Sequence, residues 1–377
     1  VSARAGVSGF ATRLPAMLDD LALLVAAESP SADHHAVAHS ARVIADVGRR
    51  LLGSDPEILT IDGCAHLRWR RGRPGRGILV LGHHDTVFPV GTIERRPYSV
   101  EAGVVRGPGC LDMKAGLVMA LHALALTDPD VGVTLLVTGD EEIGSPTSRA
   151  LVEDEARASA ACLVLEAAAD DGSLKIARKG VSMYEIAVTG RAAHAGLDPE
   201  RGVNATTEIA HQVGVVAGLA DPGEGTTVTP TVLRSGTSAN TVPDQASLRV
   251  DVRCRTRKEQ ERVHQSINAL RPQDREAELR VVGGPNRPPL EDAASACLFR
   301  LAEAEATALG LSVSGAAVGG GSDGNLAAGV GTPTLDGLGA VGAGPHTTDE
   351  YVVVDELAPR TALLAALLHA IPVQAGG

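Results

Sequence analysis

A chain of 377 residues is long for one hydrophobic core and leads to an expectation of two domains. Its net charge of −12 argues against nucleic acid as a partner, because neutralising phosphates takes clustered lysine and arginine, and no apolar run approaches the length of a membrane span. Five scattered cysteines without a Cys-x-x-Cys pair fit a reducing compartment, and Asp19, Asp20 and Glu28 inside the first apolar stretch do not fit a signal peptide, so the expected location is cytoplasmic.

Apolar residues recur at helical spacing over residues 14–27, and Pro30 stops that helix. Asp33 can cap a second amphipathic helix running through Val37, Val43, Ile44 and Val47 towards Leu51. A turn rich in Arg, Gly and Pro at 72–77 leads into the apolar run Gly77-Ile78-Leu79-Val80, which closes in Leu81-Gly82-His83-His84-Asp85-Thr86-Val87. Period-two alternation sends His83 and Asp85 to one face and His84 to the other. The pair reads as a metal-binding imidazole with a carboxylate to steady it. Taken alone, a histidine there is an ordinary end to a buried strand, so the case for metal rests on acids and histidines further along the chain.

Residues 89–105 read as loop. Gly107-Pro108-Gly109-Cys110-Leu111-Asp112 then places Asp112 at or just before an apolar helix over 113–126, where a carboxylate is poised for capping or for metal. The strand 133–138 ends in Gly139-Asp140-Glu141-Glu142-Ile143-Gly144-Ser145, three successive carboxylates that repel one another unless cations, protons or solvent relieve them. A further strand, 161–165, runs straight into Glu166. Strands and helices in alternation, with acidic or histidine side chains at the strand ends, form the pattern of an α/β sheet that collects its site at one edge.

Near Gly180 the texture changes. Strands at 184–189, 227–233, 246–253 and 279–282, with helices at 204–219 and 258–270, follow the β-α-β-β-α-β order of a ferredoxin-like sandwich. The expectation is an inserted domain at 180–287 between the parts 1–179 and 288–377 of the first, with Pro285-Asn286-Arg287-Pro288-Pro289 as the return linker. A helix at 293–309, the glycine-rich run from Val318 to Gly324 opening a short helix, a strand at 332–335, a loop carrying His346 and a last helix from about 356 to 370 complete the chain.

The candidate ligands at strand ends and in the loops after them are His83, Asp112, Glu142, Glu166 and His346. Two imidazoles and three carboxylates suit zinc or a related divalent ion, and one carboxylate can bridge two such ions. Each ion then has three protein ligands and a place for water, with Glu141 as the spare carboxylate to take that water's proton.

These motifs resemble the M20 metallopeptidases, in particular their glutamate carboxypeptidase branch; acetylornithine deacetylase, succinyl-diaminopimelate desuccinylase and aminoacylase are members of the same family. The resemblance spans nearly the whole chain: Gly82 to Val87, Gly107 to Lys114, Asp140 to Ser145, Leu165-Glu166, His194-Ala195-Gly196, Asn240-Thr241-Val242-Pro243, Asp251-Val252-Arg253, Gly319 to Asp323, and His346. It implies a zinc-peptidase-type catalytic domain, a mixed sheet with helices on both faces, carrying the ferredoxin-like βαββαβ insert as a lid and dimerisation domain. It implies two Zn2+, with Co2+ or Mn2+ able to substitute, one held by His83, Asp112 and Glu166 and the other by Asp112, Glu142 and His346. Glu141 would be the general base, Asp85 would steady His83, and the peptide bond after Asp112 would be cis.

By the same resemblance His194 reaches the partner subunit's site in a homodimer to stabilise the oxyanion, while Arg253 and Asn240 contact the substrate's free carboxylate. The backbone amides of Gly319, Gly320 and Gly321, expected to open a helix, would help to hold that anion. A phosphate loop is the rival reading of this run, which lacks the Gly-Lys-Ser/Thr ending. The implied substrate is a small peptide or an N-acyl amino acid, cut at the amide bond that releases a C-terminal amino acid. The alternatives are an N-acyl-amino-acid amidohydrolase of the same family and a non-catalytic binding scaffold of the same fold. With aromatic residues at 2%, few rings are on hand to stack on a pteridine, so folate is expected to be a poor substrate.

Overall fold

A two-residue turn sets the first pair of strands. Asp62 and Gly63 both take positive φ (48° and 87°) and join Glu57–Ile61 to Cys64–Arg71, with Ile61 opposite Cys64. Along the second strand Leu67 and Trp69 go inward and Arg68 and Arg70 do not. Trp69 packs on the helix His34–Leu52, whose N-terminus is capped by the Asp33 carboxylate accepting N–H groups from His35 and Ala36. Gly48 of that helix lies against the indole, and a Cβ there would stand 2.4 Å from the ring, which is itself anchored by its N–H donating to the Ser54 carbonyl at 3.2 Å. Gly48→Ala is therefore expected to lower stability by about 1–3 kcal/mol through overpacking, although alanine is otherwise the better helix former by about 0.5–1 kcal/mol. Urea unfolding checks this, and a raised midpoint would mean that the ring can move aside.

In this computed structural model residues 6–73, 75–372 and 374–375 are described. They divide into two units: Arg178–Pro289 with Gly319–Gly321 form one, and the remaining described residues form the other.

The first unit is built on a six-stranded mixed sheet. Ile78–His83 lies between Val133–Thr138 and Ala161–Val164, parallel to both, with Thr334–Leu335 parallel on the far side of Ala161–Val164. Cys64–Arg71 and Glu57–Ile61 add antiparallel strands at the other edge. The central strands are apolar on both faces because both are covered. Ile78 and Val80 join one cluster with Leu21, Ile44, Leu121, Leu298 and Leu364 from five helices. Leu79 and Leu81 join another with Val152 and Leu326 from the helices Arg149–Ala158 and Gly324–Gly329. Because the three central strands share a direction, His83, Thr138 and Val164 end at the same edge, with His83 paired to Thr138.

Residues 89–105 are not all loop. Ser99–Glu101 and Val104–Arg106 form a hairpin around Ala102 and Gly103, both at positive φ (51° and 78°). This hairpin extends into a four-stranded sheet in which Tyr351–Val353 pairs with Val104–Arg106, and Gly342–Ala343 pairs with Tyr351–Val353.

The second unit has Gly180–Thr189, Thr227–Ser235, Gln245–Cys254 and Glu278–Arg287 in one antiparallel sheet, with the helices Ala205–Ala217 and Arg257–Asn268 between them in the chain. The order is β-α-β-β-α-β, and Tyr184, Ile186, Ile209, Leu248, Val263 and Ile267 make its own core. The expected return linker is corrected at its start: Pro285 and Arg287 belong to the last strand, paired with Ser182 and Val181. That strand lies at the sheet's edge, where a proline without N–H is tolerated.

All five cysteines are unpaired, four of them buried and Cys297 exposed. Among the described residues no helix is long and apolar enough to cross a membrane.

Candidate metal centre

His83 closes its strand 2% exposed, with its two ring nitrogens facing different partners. Nδ1 lies 3.0 Å from the Asp85 backbone oxygen and 3.4 Å from its carboxylate. Nε2 lies 3.2 Å from Asp112 Oδ1 and 3.5 Å from Glu166 Oε1. Asp85 itself is fully buried and does more than steady the ring. Its two oxygens accept the backbone N–H groups of Glu141 and Glu142, at 3.1 Å each, and the Ser31 hydroxyl at 2.7 Å. It thereby ties the loop after one strand to the turn after its neighbour. His84 points the other way into the interior, bonded to Ser40 at 3.2 Å and to the Ala65 carbonyl at 3.1 Å, and burial pushes its pKa down to about 4.

The run of three acids is resolved by turning its members apart. Asp140 faces into its own loop and accepts from the backbone and hydroxyl of both Thr147 and Ser148. Glu141 and Glu142 start a short 3-10 turn, Glu141–Ile143. The Glu141 carboxylate, His83 and Glu166 each offer an atom within 4.8 Å of the others, as do His83, Asp112 and Glu142.

Asp112 sits in the wide, irregular turn Cys110–Lys114 ahead of the helix Ala115–Leu126, and the cis bond to Met113 is present. One carboxylate oxygen is 3.2 Å from His83 Nε2, and the other is 3.2 Å from His346 Nε2. His346, at φ 63° in the loop before Tyr351–Val353, also lies 3.0 Å from Glu142 Oε2. One buried acid that is absent from the expected site residues joins the group: the Glu350 carboxylate accepts backbone N–H groups from Gly109, Leu111 and Asp112.

The electrostatics are those of a cation trap. Burial works against charge on His83, yet hydrogen bonds to Asp112, Asp85 and Glu166 outweigh it and raise its pKa well above the usual value. His346 is raised to about 10 by hydrogen bonds to Asp112 and Glu142. Burial likewise opposes ionisation of Asp112, but the two imidazoles hold its carboxyl far below the usual range. Burial wins at Glu142, whose carboxyl is raised. The same carboxylates that favour charge on these imidazoles would also favour a bound cation, for which protons on the imidazoles compete.

The remaining expected residues lie in the second unit. His194 is exposed in the short strand Ala193–His194, paired with Thr241–Val242, and its Nδ1 accepts N–H groups from Gly196 and Leu197. Asn240, in the adjoining turn, accepts the Ala195 N–H on its carbonyl at 2.9 Å. Arg253 is forked onto Asp251 at 2.8 and 2.9 Å. Gly319, Gly320 and Gly321 do not open a helix: Gly324–Gly329 starts beyond them with Asp323 at its N-cap, and the Asp323 carboxylate accepts from Thr138 and Ser145 instead of capping. A separate group, Cys64, His66 and Asp140, is closed by hydrogen bonds rather than open to an ion: His66 bonds Thr147 and the Gly139 N–H, and burial pushes the Cys64 thiol up to about 12.

The sequence profile of peptidase family M20/M25/M40 matches residues 79–370. Carboxypeptidase G2 of Pseudomonas sp. (strain RS-16) is 31% identical over 313 residues, which are 79% of this chain and 74% of that protein. Succinyl-diaminopimelate desuccinylase of Dechloromonas aromatica (strain RCB) is 27% identical over 347 residues, 84% of this chain and 89% of that protein. Among solved structures, the M20 family metallo-carboxypeptidase Sso-CP2 from Sulfolobus solfataricus aligns with a TM-score of 0.75 over 94% of this chain and 98% of its own, at 15% identity. Aminopeptidase PepT from Bacillus cereus ATCC 10987 aligns with a TM-score of 0.72 over 95% and 98%, at 22% identity. At those identities the structural likeness concerns the fold alone, but the family match and the carboxypeptidase relative concern the sequence itself. The chain belongs to peptidase family M20/M25/M40 and is a metal-dependent hydrolase.

Proposed function

We propose that the chain is a dinuclear zinc hydrolase that cuts the amide bond releasing a C-terminal amino acid with a free carboxylate. The observation that carries this reading is the position of Asp112, whose two oxygens are divided between His83 and His346 at 3.2 Å each. That division suits a bridging carboxylate and supports the reading, with Glu166 beside the first imidazole and Glu142 beside the second. The donor set of two imidazoles and three carboxylates fits two zinc ions, with cobalt or manganese as substitutes. When bound, the ions would supply Lewis-acid polarisation of the scissile carbonyl and acidify the attacking water.

The chain's own residues do the rest. Glu141 takes the proton from water as the carbon–oxygen bond forms and returns it to the leaving amine as the carbon–nitrogen bond breaks. Asp85 holds the His83 ring and, through the Glu141 N–H, the turn that carries the base. For the second unit we propose that His194 stabilises the oxyanion in the partner subunit's site of a homodimer, and that Arg253 and Asn240 take the substrate carboxylate, helped by the loop amides of Gly319, Gly320 and Gly321. A substrate carboxylate would then compete with Asp251 for the Arg253 fork. A cytoplasmic setting is supported by the five unpaired cysteines.

Assay of dipeptides and N-acyl amino acids with zinc, cobalt or manganese tests the reading. Free amino acid is expected from substrates with an α-carboxylate, and equal turnover of their α-amidated counterparts would remove the carboxylate requirement. A second reading, an amidohydrolase of N-acetyl or N-succinyl amino acids, is favoured by the desuccinylase relative, and the same panel ranks the two.

Folate is expected to be cut about 2–10-fold less efficiently in kcat/KM than N-acyl-glutamate, the worth of one missing aromatic contact. Every ring in the chain is already engaged. Phe10 and Trp69 are core, Phe299 packs on it, the Tyr98 hydroxyl donates to the Leu18 carbonyl, Tyr184 stacks on His264, and Arg96 and Arg106 cover Phe88 and Tyr351. A large preference for folate would reverse this.

A further inference from the structure

Glu350 follows His346 by four residues in the chain and is fully buried. A buried carboxylate is costly unless its oxygens are satisfied, and the usual remedy is an arginine or lysine. Here the hydrogen bonds come from backbone, and the buried Lys114 adds electrostatic attraction. Oε2 accepts the Gly109 N–H at 2.8 Å, and Oε1 accepts those of Leu111 and Asp112 at 2.9 and 3.0 Å. All three donors belong to the turn that delivers Asp112, and Gly109 holds its place in that turn at φ 70°, where a Cβ would stand 2.5 Å from Thr86 Cγ2. Immediately after Glu350, Tyr351–Val353 is fixed by pairing with Val104–Arg106, the strand that leads into the same turn. One acid thus joins the loop of His346 to the turn of Asp112 on both the side-chain and the main-chain side.

We propose that Glu350 is a positioning residue for the metal pair: it sets the placement of Asp112 relative to His346 so that the carboxylate keeps one oxygen towards each imidazole. The proposal rests on the reading of this cluster as a metal centre. It goes beyond that reading in assigning the placement of Asp112 to a residue outside the proposed ligand set.

The test is zinc affinity, read by competition with a chromophoric chelator, beside urea unfolding of the metal-stripped chain. Glu350→Ala is expected to weaken zinc binding by about 10–100-fold, the usual effect of removing a group that orients a ligand. Glu350→Gln is expected to fall between parent and alanine, because its amide oxygen can still accept from Leu111 and Asp112 while its NH2 opposes the Gly109 N–H. Asp20→Asn is the comparison, since Asp20 is a buried carboxylate in the helical layer, bonded to His122 and Arg50. It should lower the urea midpoint and leave zinc affinity within about twofold of the parent.

Glu350 variants that bind zinc as tightly as a zinc-binding parent overturn this inference alone. So does an Asp20→Asn chain that loses as much zinc affinity as Glu350→Gln, because general loosening would then explain both. If Glu350→Ala fails to fold, Glu350→Gln decides: weaker zinc in a folded chain supports the proposal, and unchanged zinc overturns it. A parent that takes up no zinc overturns the metal-centre reading and this inference with it.

Discussion

Replacing Glu141 with alanine is expected to lower kcat by about 10²–10⁴-fold while zinc content stays at the parent level, the range for loss of the general acid–base group proposed here. The reason lies in how the turn Glu141–Ile143 is held. Asp85 fixes the backbone of both acids through their N–H groups, so removing the Glu141 side chain leaves Glu142 in place beside His346. The Glu141 carboxylate is within 4.8 Å of the His83 and Glu166 ligand atoms, close enough to reach a water held there. Metal analysis after dialysis, run beside the assay, separates the outcomes. Unchanged kcat with zinc retained removes Glu141 from the role of base, and loss of zinc moves it among the ligands.

On the proposed dinuclear reading, Asp112→Ala is expected to lose both ions and His346→Ala one. Each oxygen of Asp112 faces a different imidazole, so deleting the side chain takes a donor from both halves and leaves two imidazoles without the charge that faced them. Among the described residues His346 pairs with the carboxylates of Asp112 and Glu142, so its loss is expected to leave the His83, Asp112 and Glu166 set intact. Zinc per chain is expected near zero in the first variant and near one in the second, with kcat down by at least about 10³-fold in Asp112→Ala, as for loss of a metal's electrophilic help together with its activated water. An Asp112→Ala chain that retains one tightly bound zinc would mean that the two oxygens do not bridge.

The parts of the fold that are legible in the sequence are those shaped by physics that acts locally. A strand buried on both faces must be apolar along its length, so Ile78-Leu79-Val80-Leu81 and Val133–Thr138 announce themselves, and the polar residues just past them are conspicuous. His83, Asp112, Glu142, Glu166 and His346 are brought together at that edge. The hairpin at Asp62-Gly63 is missing from the expected elements despite a clear signal, since Asp-Gly is a favoured two-residue turn and Leu67 and Trp69 alternate with arginines. The Ala102-Gly103 turn carries less, because alanine is unusual at positive φ and the flanking strands are only three residues long. Pro285 looks like punctuation in the sequence, but at a sheet edge it costs no ladder hydrogen bond.

Other features leave no local trace. The second task of Asp85 depends on the register that pairs His83 with Thr138, which brings two turns within reach of one carboxylate. Among the described residues Glu350 accepts from the main chain of Gly109, Leu111 and Asp112, and none of those residue types advertises that its N–H will be used. Such contacts belong to tertiary structure, and pattern reading does not reach them.

The pairing of Tyr351–Val353 with Val104–Arg106 has a consequence for when the chain can work. During synthesis the front of the sheet, with His83, Asp112 and both members of the Glu pair, leaves the ribosome long before His346 does. Contacts so distant in sequence close late. A nascent chain can therefore assemble most of its hydrophobic framework while lacking the strand that brings His346 to Asp112. If His346 is a metal ligand as proposed, hydrolytic competence waits on the pairing of Tyr351–Val353 with Val104–Arg106.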